Sequence, residues 1–290
     1  MGLKIIVLAK QVPDTRNVGQ DAMKSDGTVN RAALPAIFNP EDLHALEQAL
    51  LIKDAHPGTT VEIVTMGPPR AAEIIREAMY RGADGGYLLT DRAFAGSDTL
   101  ATSYTISLAI KKLMPFDLLL SGRQAIDGDT AQVGPQVADK VGIPQITYAE
   151  EIVSVSKKDI TVKRRLERGY EIVKASLPTL VTVHSSAVEC RSRNSKLTMK
   201  YKHAKTVSEL QEDAMDYEGM MKTRPYLQIT EWTADDLNPD SKSLGLQGSP
   251  TKVKNIENVV FKAKETVALD TSEKDIDFLM RELIANHIIG

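Results

Sequence analysis

The chain has 290 residues, 42% hydrophobic, 26% charged and 5% aromatic, with a formal net charge of -3. That length suits one large domain with an appendage, or two domains, and the apolar fraction is ample for a packed core. The near-balanced charge argues against bulk electrostatic binding of nucleic acid or an anionic membrane.

The lone cysteine, Cys190, excludes an intramolecular disulfide and fits a reducing compartment. The apolar run Ile5 to Ala9 is too short for a signal-peptide core, and Ile6 breaks the myristoylation pattern begun by Met1-Gly2. No apolar stretch approaches the ~20 residues a membrane span needs. The expectation is a cytoplasmic protein without membrane insertion.

Leu3–Ala9 reads as a buried parallel strand, and 61–66, 86–90 and 117–121 repeat its character. Between them lie helical patterns. Asn39 and Pro40 supply an N-cap and a first-turn proline, Leu43, Leu46 and Leu50 mark one face, and Pro57-Gly58 stops the helix. A second helix follows Gly67-Pro68-Pro69 to about Arg81, and a third runs from about Ser97-Asp98 to Leu113. A fourth is expected from near Asp129 to Gly142, its early turns loosened by Pro135. Beyond Pro144, the stretches 152–155, 160–165, 170–175 and 180–183 read as strands in hairpins. From about Ser185 the chain is irregular and charged, with helices expected over 206–213 and 272–288. The fold class is therefore α/β: a doubly wound, mostly parallel sheet with an antiparallel hairpin extension and a long C-terminal arm. Residues 1–185 form the α/β domain with its hairpin extension on this reading. Residues 186–290 form a docking loop and an arm that packs on a partner subunit.

In such a sheet, ligands bind beyond the carboxyl ends of the strands. Four segments fall there: Lys10 to Asp14, Met66 to Pro69, Gly96 to Thr99, and Ser121 to Pro135. The last is the most informative. Gly122 and Gly128 permit close approach of a ligand, Asp129 can cap the next helix, and Thr130, Ala131 and Gln132 would offer first-turn N–H groups to a phosphate. Asp127 and Asp129 count against this, because carboxylates repel phosphates. Asn39, Asp42, Asp98 and Thr99 read equally well as caps and dipole-matched acids. There is no GxGxxG after the first strand, no Walker loop, no G-x-S-x-G elbow and no paired histidine spacing for a metal.

KQVPD at 10–14, FNPED at 38–42, MGPP at 66–69, SDT at 97–99 and GRQAIDGDTAQVGP at 122–135 resemble, in that order, the beta (small) subunit of electron transfer flavoproteins. The stretches 162–182 and 244–253 resemble the same family, with Arg168 departing from its usual Gly or Asp. The resemblance implies a heterodimer with an alpha subunit that carries FAD. It implies an adenine nucleotide in this chain: AMP in ordinary members, or a second FAD in electron-bifurcating ones. Such an FAD accepts hydride from NADH and sends one electron to ferredoxin or flavodoxin. The other goes through the alpha-subunit FAD to an FAD-containing dehydrogenase. The chain would then be an electron-transfer component, not a standalone enzyme, and no catalytic acid or base is assigned.

DGDTAQVGP at 127–135 resembles the bifurcating version. By position, Ala9, Lys10, Asn39, Asp42, Thr65, Met66, Gly67 and Pro68 fall to adenine and ribose and their surroundings. Gly128, Asp129, Thr130, Ala131, Gln132 and Val133 fall to the pyrophosphate, assisted by Asp98 and Thr99, with Asp127, Gly134 and Pro135 beside them; the carboxylates of Asp127 and Asp129 would cap backbone or bind ribose and adenine. Gly122, Arg123, Gln124 and Ala125 would lie nearer the flavin ring. Residues 185–205 depart from the family pattern in the region that forms the dehydrogenase-recognition loop of related proteins. The choice of dehydrogenase is therefore the part least implied.

Overall fold

A computed structural model describes residues 2–14, 35–212, 217–251 and 266–289. The chain divides into two units, 1–254 and 255–290.

In the first unit a nine-stranded sheet runs in the order β11-β5-β4-β1-β6-β10-β7-β8-β9. Its centre is β1 (Lys4–Leu8), flanked in parallel by β4 (Thr60–Met66) and β6 (Leu118–Gly122). Apolar side chains on both faces of β1 are what place it there. Ile5 and Val7 belong to the core beneath α1 (Pro40–Ala55) and α2 (Ala72–Arg81). Ile6 and Leu8 belong to the core beneath α3 (Thr99–Lys112) and α4 (Val133–Val141). Each fully buried side chain of this size contributes about 1.5–3 kcal/mol.

From β1 the chain steps outward through β4 to β5 (Gly85–Leu89), then crosses back to β6 on the other side of β1. The order reverses there, so a crevice opens beyond the carboxyl ends of β1 and β6. A two-stranded ribbon, β2 (Gln11–Pro13) with β3 (Ala36–Phe38), follows β1 and was not anticipated from the sequence.

Three expectations are corrected. The fourth helix starts at Val133, not near Asp129, because Asp129 and Ala131 have left-handed φ values of 49° and 52°. A helix cannot propagate through such residues. Pro135 therefore sits in the first turn, where its missing donor has no helical partner to lose, and no kink follows. Third, β10 (Thr179–Val183) is not a hairpin strand: it lies parallel to and between β6 and β7 (Gln145–Val155). All its residues are buried, as an internal parallel strand requires. Only β7, β8 (Asp159–Leu166) and β9 (Gly169–Ser176) make the antiparallel extension.

Residues 186–212 and 217–251 pack on this body. Tyr201 from α5 (Ser195–Tyr201), Ala204, Leu227 and Ile229 join the core beneath α1 and α2. Arg191 pairs with Glu47 and Asp54, Arg193 with Glu77, and Glu209 of α6 (Val207–Glu212) with Arg76. The expected helix over 206–213 is α6; Asp213 lies outside the described residues. Then come α7 (Tyr217–Thr223), the edge strand β11 (Thr230–Trp232) and α8 (Ala234–Leu237). In the second unit, α9 (Glu273–Ala285) exposes Ile276, Phe278, Leu279, Met280 and Ile284. Among the described residues no helix is long and apolar enough to cross a membrane.

Candidate functional site at the carboxyl ends of the strands

The start of α1 organises the crevice. Asn39 precedes the helix yet makes no side-chain cap; its Nδ2 donates to the Gln124 carbonyl (2.9 Å) and its Oδ1 accepts from Ile126 N (3.2 Å). Asp42 accepts from the backbone N of Lys10 (2.8 Å) and of Gly122 (3.0 Å). Asn39 and Asp42 are both buried, so these polar groups are spent on fixing the exits of β1 and β6. Burial pushes the Asp42 carboxyl up to about 7, although hydrogen bonds from Lys10, Asn39 and Gly122 pull the other way. Gly122 is required here, since a Cβ would collide with Asp42.

Glu41 completes the clamp. It pairs with the Arg123 guanidinium at 2.8 Å and accepts from Gln124 N at 3.1 Å. Nothing local in the sequence signals this role of Glu41. Arg123 lies 5.6 Å from the Tyr148 ring, on which His184 stacks at 5.9 Å. Tyr148 has a left-handed φ of 60°. Desolvation and the Arg123 charge lower the pKa of His184. Neither Tyr148 nor His184 was singled out from the sequence.

The two aspartates of the loop have defined partners, and neither caps α4. Both oxygens of Asp127 lie against Lys10 Nζ, at 2.7 and 2.8 Å. Asp129 accepts from Gln124 Nε2 at 2.7 Å. Asp98 does cap α3, accepting from Leu100 N and Ala101 N. It also accepts from the Thr251 hydroxyl at 2.6 Å. Desolvation opposes ionisation there, but the hydrogen bonds from Thr251 and the helix start hold this carboxyl below the usual range. Thr99 Oγ1 donates to Gln132 Oε1 at 2.9 Å, tying α3 to the approach of α4.

At the end of β4, Ala9 N donates to Val64 O and Gly67 N to Leu89 O, which aligns Thr65, Met66, Gly67 and Pro68 with the exit of β1. The residues that the resemblance assigns to the nucleotide, from Ala9 to Pro135, are thus brought to one edge of the sheet. Asp98 and Thr99 join it through Gln132.

This edge has the donors an anionic nucleotide needs. The backbone N–H groups of Thr130, Ala131, Gln132, Val133 and Gly134 find no acceptor among the described residues. Ala131 is left-handed and Gln132 right-handed, a pair that turns successive N–H groups toward one concave side. The start of α4 adds its dipole. The hydroxyls of Thr65 and Ser121 are buried with no hydrogen-bond partner. A Cβ at Gly128 would meet nothing within 4 Å, so the loop is open at that point. Gly134 is the opposite case: a Cβ there would lie 2.9 Å from Ser121 Oγ and 3.0 Å from Thr182 Cγ2.

Similarity to known proteins agrees with this architecture. The electron transfer flavoprotein domain model matches residues 26–214. Caffeyl-CoA reductase-Etf complex subunit CarD of Acetobacterium woodii is 45% identical over 253 residues, 87% of this chain and 86% of that protein. Electron transfer flavoprotein subunit beta of Clostridium acetobutylicum is 41% identical over 287 residues, 99% of this chain and 100% of that protein. The acryloyl-CoA reductase electron transfer subunit gamma of Anaerotignum propionicum is 40% identical over 290 residues, 99% of this chain and 100% of that protein. The chain belongs to the electron transfer flavoprotein family, among its beta subunits.

Proposed function

We propose that this chain is the beta subunit of a heterodimeric electron transfer flavoprotein and that it binds FAD at the crevice beyond β1 and β6. The observation that carries the reading is the unpartnered donor run from Thr130 to Gly134. Such a run can take a phosphate or a pyrophosphate, and the resemblance of residues 127–135 to the bifurcating version favours FAD over AMP.

On this reading Ala9 and Thr65 to Pro68 border adenine and ribose, and residues 128–135 hold the pyrophosphate. Asn39 and Asp42 serve by fixing Lys10, Gly122, Gln124 and Ile126 around the ligand. Gly122 to Ala125 lie toward the ring, with Arg123 placed by Glu41. Asp98 and Thr99 steady the start of α4 through Gln132. When bound, FAD would supply hydride acceptance from NADH and one-electron donation toward ferredoxin or flavodoxin and toward an alpha-subunit FAD and a dehydrogenase. The protein's part is to orient the ring and set its electrostatic surroundings. The exposed apolar side chains of α9 supply a surface that the alpha subunit would cover. The names of the Acetobacterium and Anaerotignum relatives support assembly with an acyl-CoA-type reductase.

Gly128 gives a direct test. Its open surroundings mean that Gly128→Ala should fold and load nucleotide normally. Gly128→Glu should fold equally well but lose bound flavin, because a carboxylate would face the pyrophosphate. Unchanged flavin content in purified Gly128→Glu would overturn the placement.

A further inference from the structure

The loop that offers the donor run also carries two carboxylates, and an anionic ligand there must tolerate them. Asp129 is exposed and bonded to Gln124. Asp127 is more enclosed, with a side chain 21% accessible, and is held on both oxygens by Lys10 Nζ. Lys10 is itself anchored. Its N donates to Asp42 Oδ2 and its carbonyl accepts from Asn39 N at 2.9 Å. A backbone fixed at the exit of β1 thus delivers the ammonium to a carboxylate distant in sequence, closing the loop onto the central strand. The pair presents no net charge, where Asp127 alone would present a negative one.

We infer that Lys10 is a positioning residue for the nucleotide and not one of its phosphate ligands: it neutralises Asp127 and fastens the 122–129 loop, so that the Thr130 to Gly134 donors meet a diphosphate without like-charge repulsion. This rests on the adenine-nucleotide reading above. A lysine that simply gripped phosphate would need no bidentate carboxylate partner. Here the ammonium already has two short charge-assisted bonds within the protein.

The test is a double-mutant cycle on the full chain in the assembly it forms, stripped of nucleotide and titrated with ADP. Lys10→Ala should weaken ADP binding about tenfold at low salt, equivalent to about 1.4 kcal/mol. The loss should shrink as salt rises, because the unpaired Asp127 charge is then screened. Asp127→Asn should bind ADP at least as tightly as the wild type. The double variant should return to within about threefold of it. A double variant as weak as Lys10→Ala would overturn the inference, since Lys10 would then contact the phosphates directly. Asp127→Asn that alone weakens binding about tenfold would also overturn it, by making Asp127 a ligand of the nucleotide. Unfolding midpoints of the nucleotide-free variants separate lost binding from lost fold. If Lys10→Ala does not fold, Lys10→Met keeps the apolar stem and carries the same cycle. Failure of the wild type to bind ADP, AMP and FAD would sink the nucleotide reading itself, an outcome distinct from an additive cycle.

Discussion

Asp42 is a carboxyl taken out of water to hold two strand exits together. Its backbone donors favour the ionised form, but burial outweighs them and lifts it from 3.8 to about 7. Such a group binds its proton more tightly in the folded protein than in the unfolded chain. Its contribution to stability is therefore fully present below the unfolded value near 4 and is lost as pH rises through about 7. The stability of the wild type relative to Asp42→Asn should fall by on the order of 2–4 kcal/mol between about pH 4 and pH 8. Denaturant unfolding across that window measures it. Parallel profiles for the two proteins would show that burial leaves the Asp42 pKa where it is in the unfolded chain.

Other single residues were harder to foresee. Asp127 and Asp129 stood out in the sequence as an obstacle to phosphate. Their partners, Lys10 and Gln124, are defined only by the folded loop. Ala131 gives no sign in the sequence of its left-handed conformation, which costs roughly 1–2 kcal/mol for a residue with a Cβ. That strain falls on the pair that forms the anion-binding concavity.

Among the elements, α4 shows where local reading succeeds and where it stops. Its existence and its end at Gly142 were legible from the apolar spacing and the glycine stop. Its start was placed early, because Asp129 followed by polar residues resembles a cap, while two left-handed residues intervene. The late start is what leaves the donor run unpaired. Gly134 then lets the first turn sit against β6 and β10. Gly134→Ala should push that turn outward, with about 1–3 kcal/mol lost from overpacking and a parallel loss of ADP affinity. Unfolding and titration of the same variant measure both; full stability with full affinity would mean that the turn shifts without consequence. The strand β10 was recognisable as a strand, read into a hairpin, but its partners β6 and β7 are non-local, so its parallel insertion was not legible.

At the scale of the molecule, the doubly wound sheet and its site-bearing edge were largely readable. Parallel strands place every following loop on one side, so separate motifs had to converge. The packing of residues 186–212 and 217–251 was not readable in this way. It depends on pairs such as Arg191 with Glu47, far apart in sequence and without periodicity.

The central claim is that the crevice beyond β1 and β6 holds FAD. Acid extraction of the natively purified heterodimer, with chromatographic quantification of FAD and AMP, tests it most directly. The account predicts about two FAD per heterodimer, one in each subunit, and no AMP. One FAD with one AMP would contradict it.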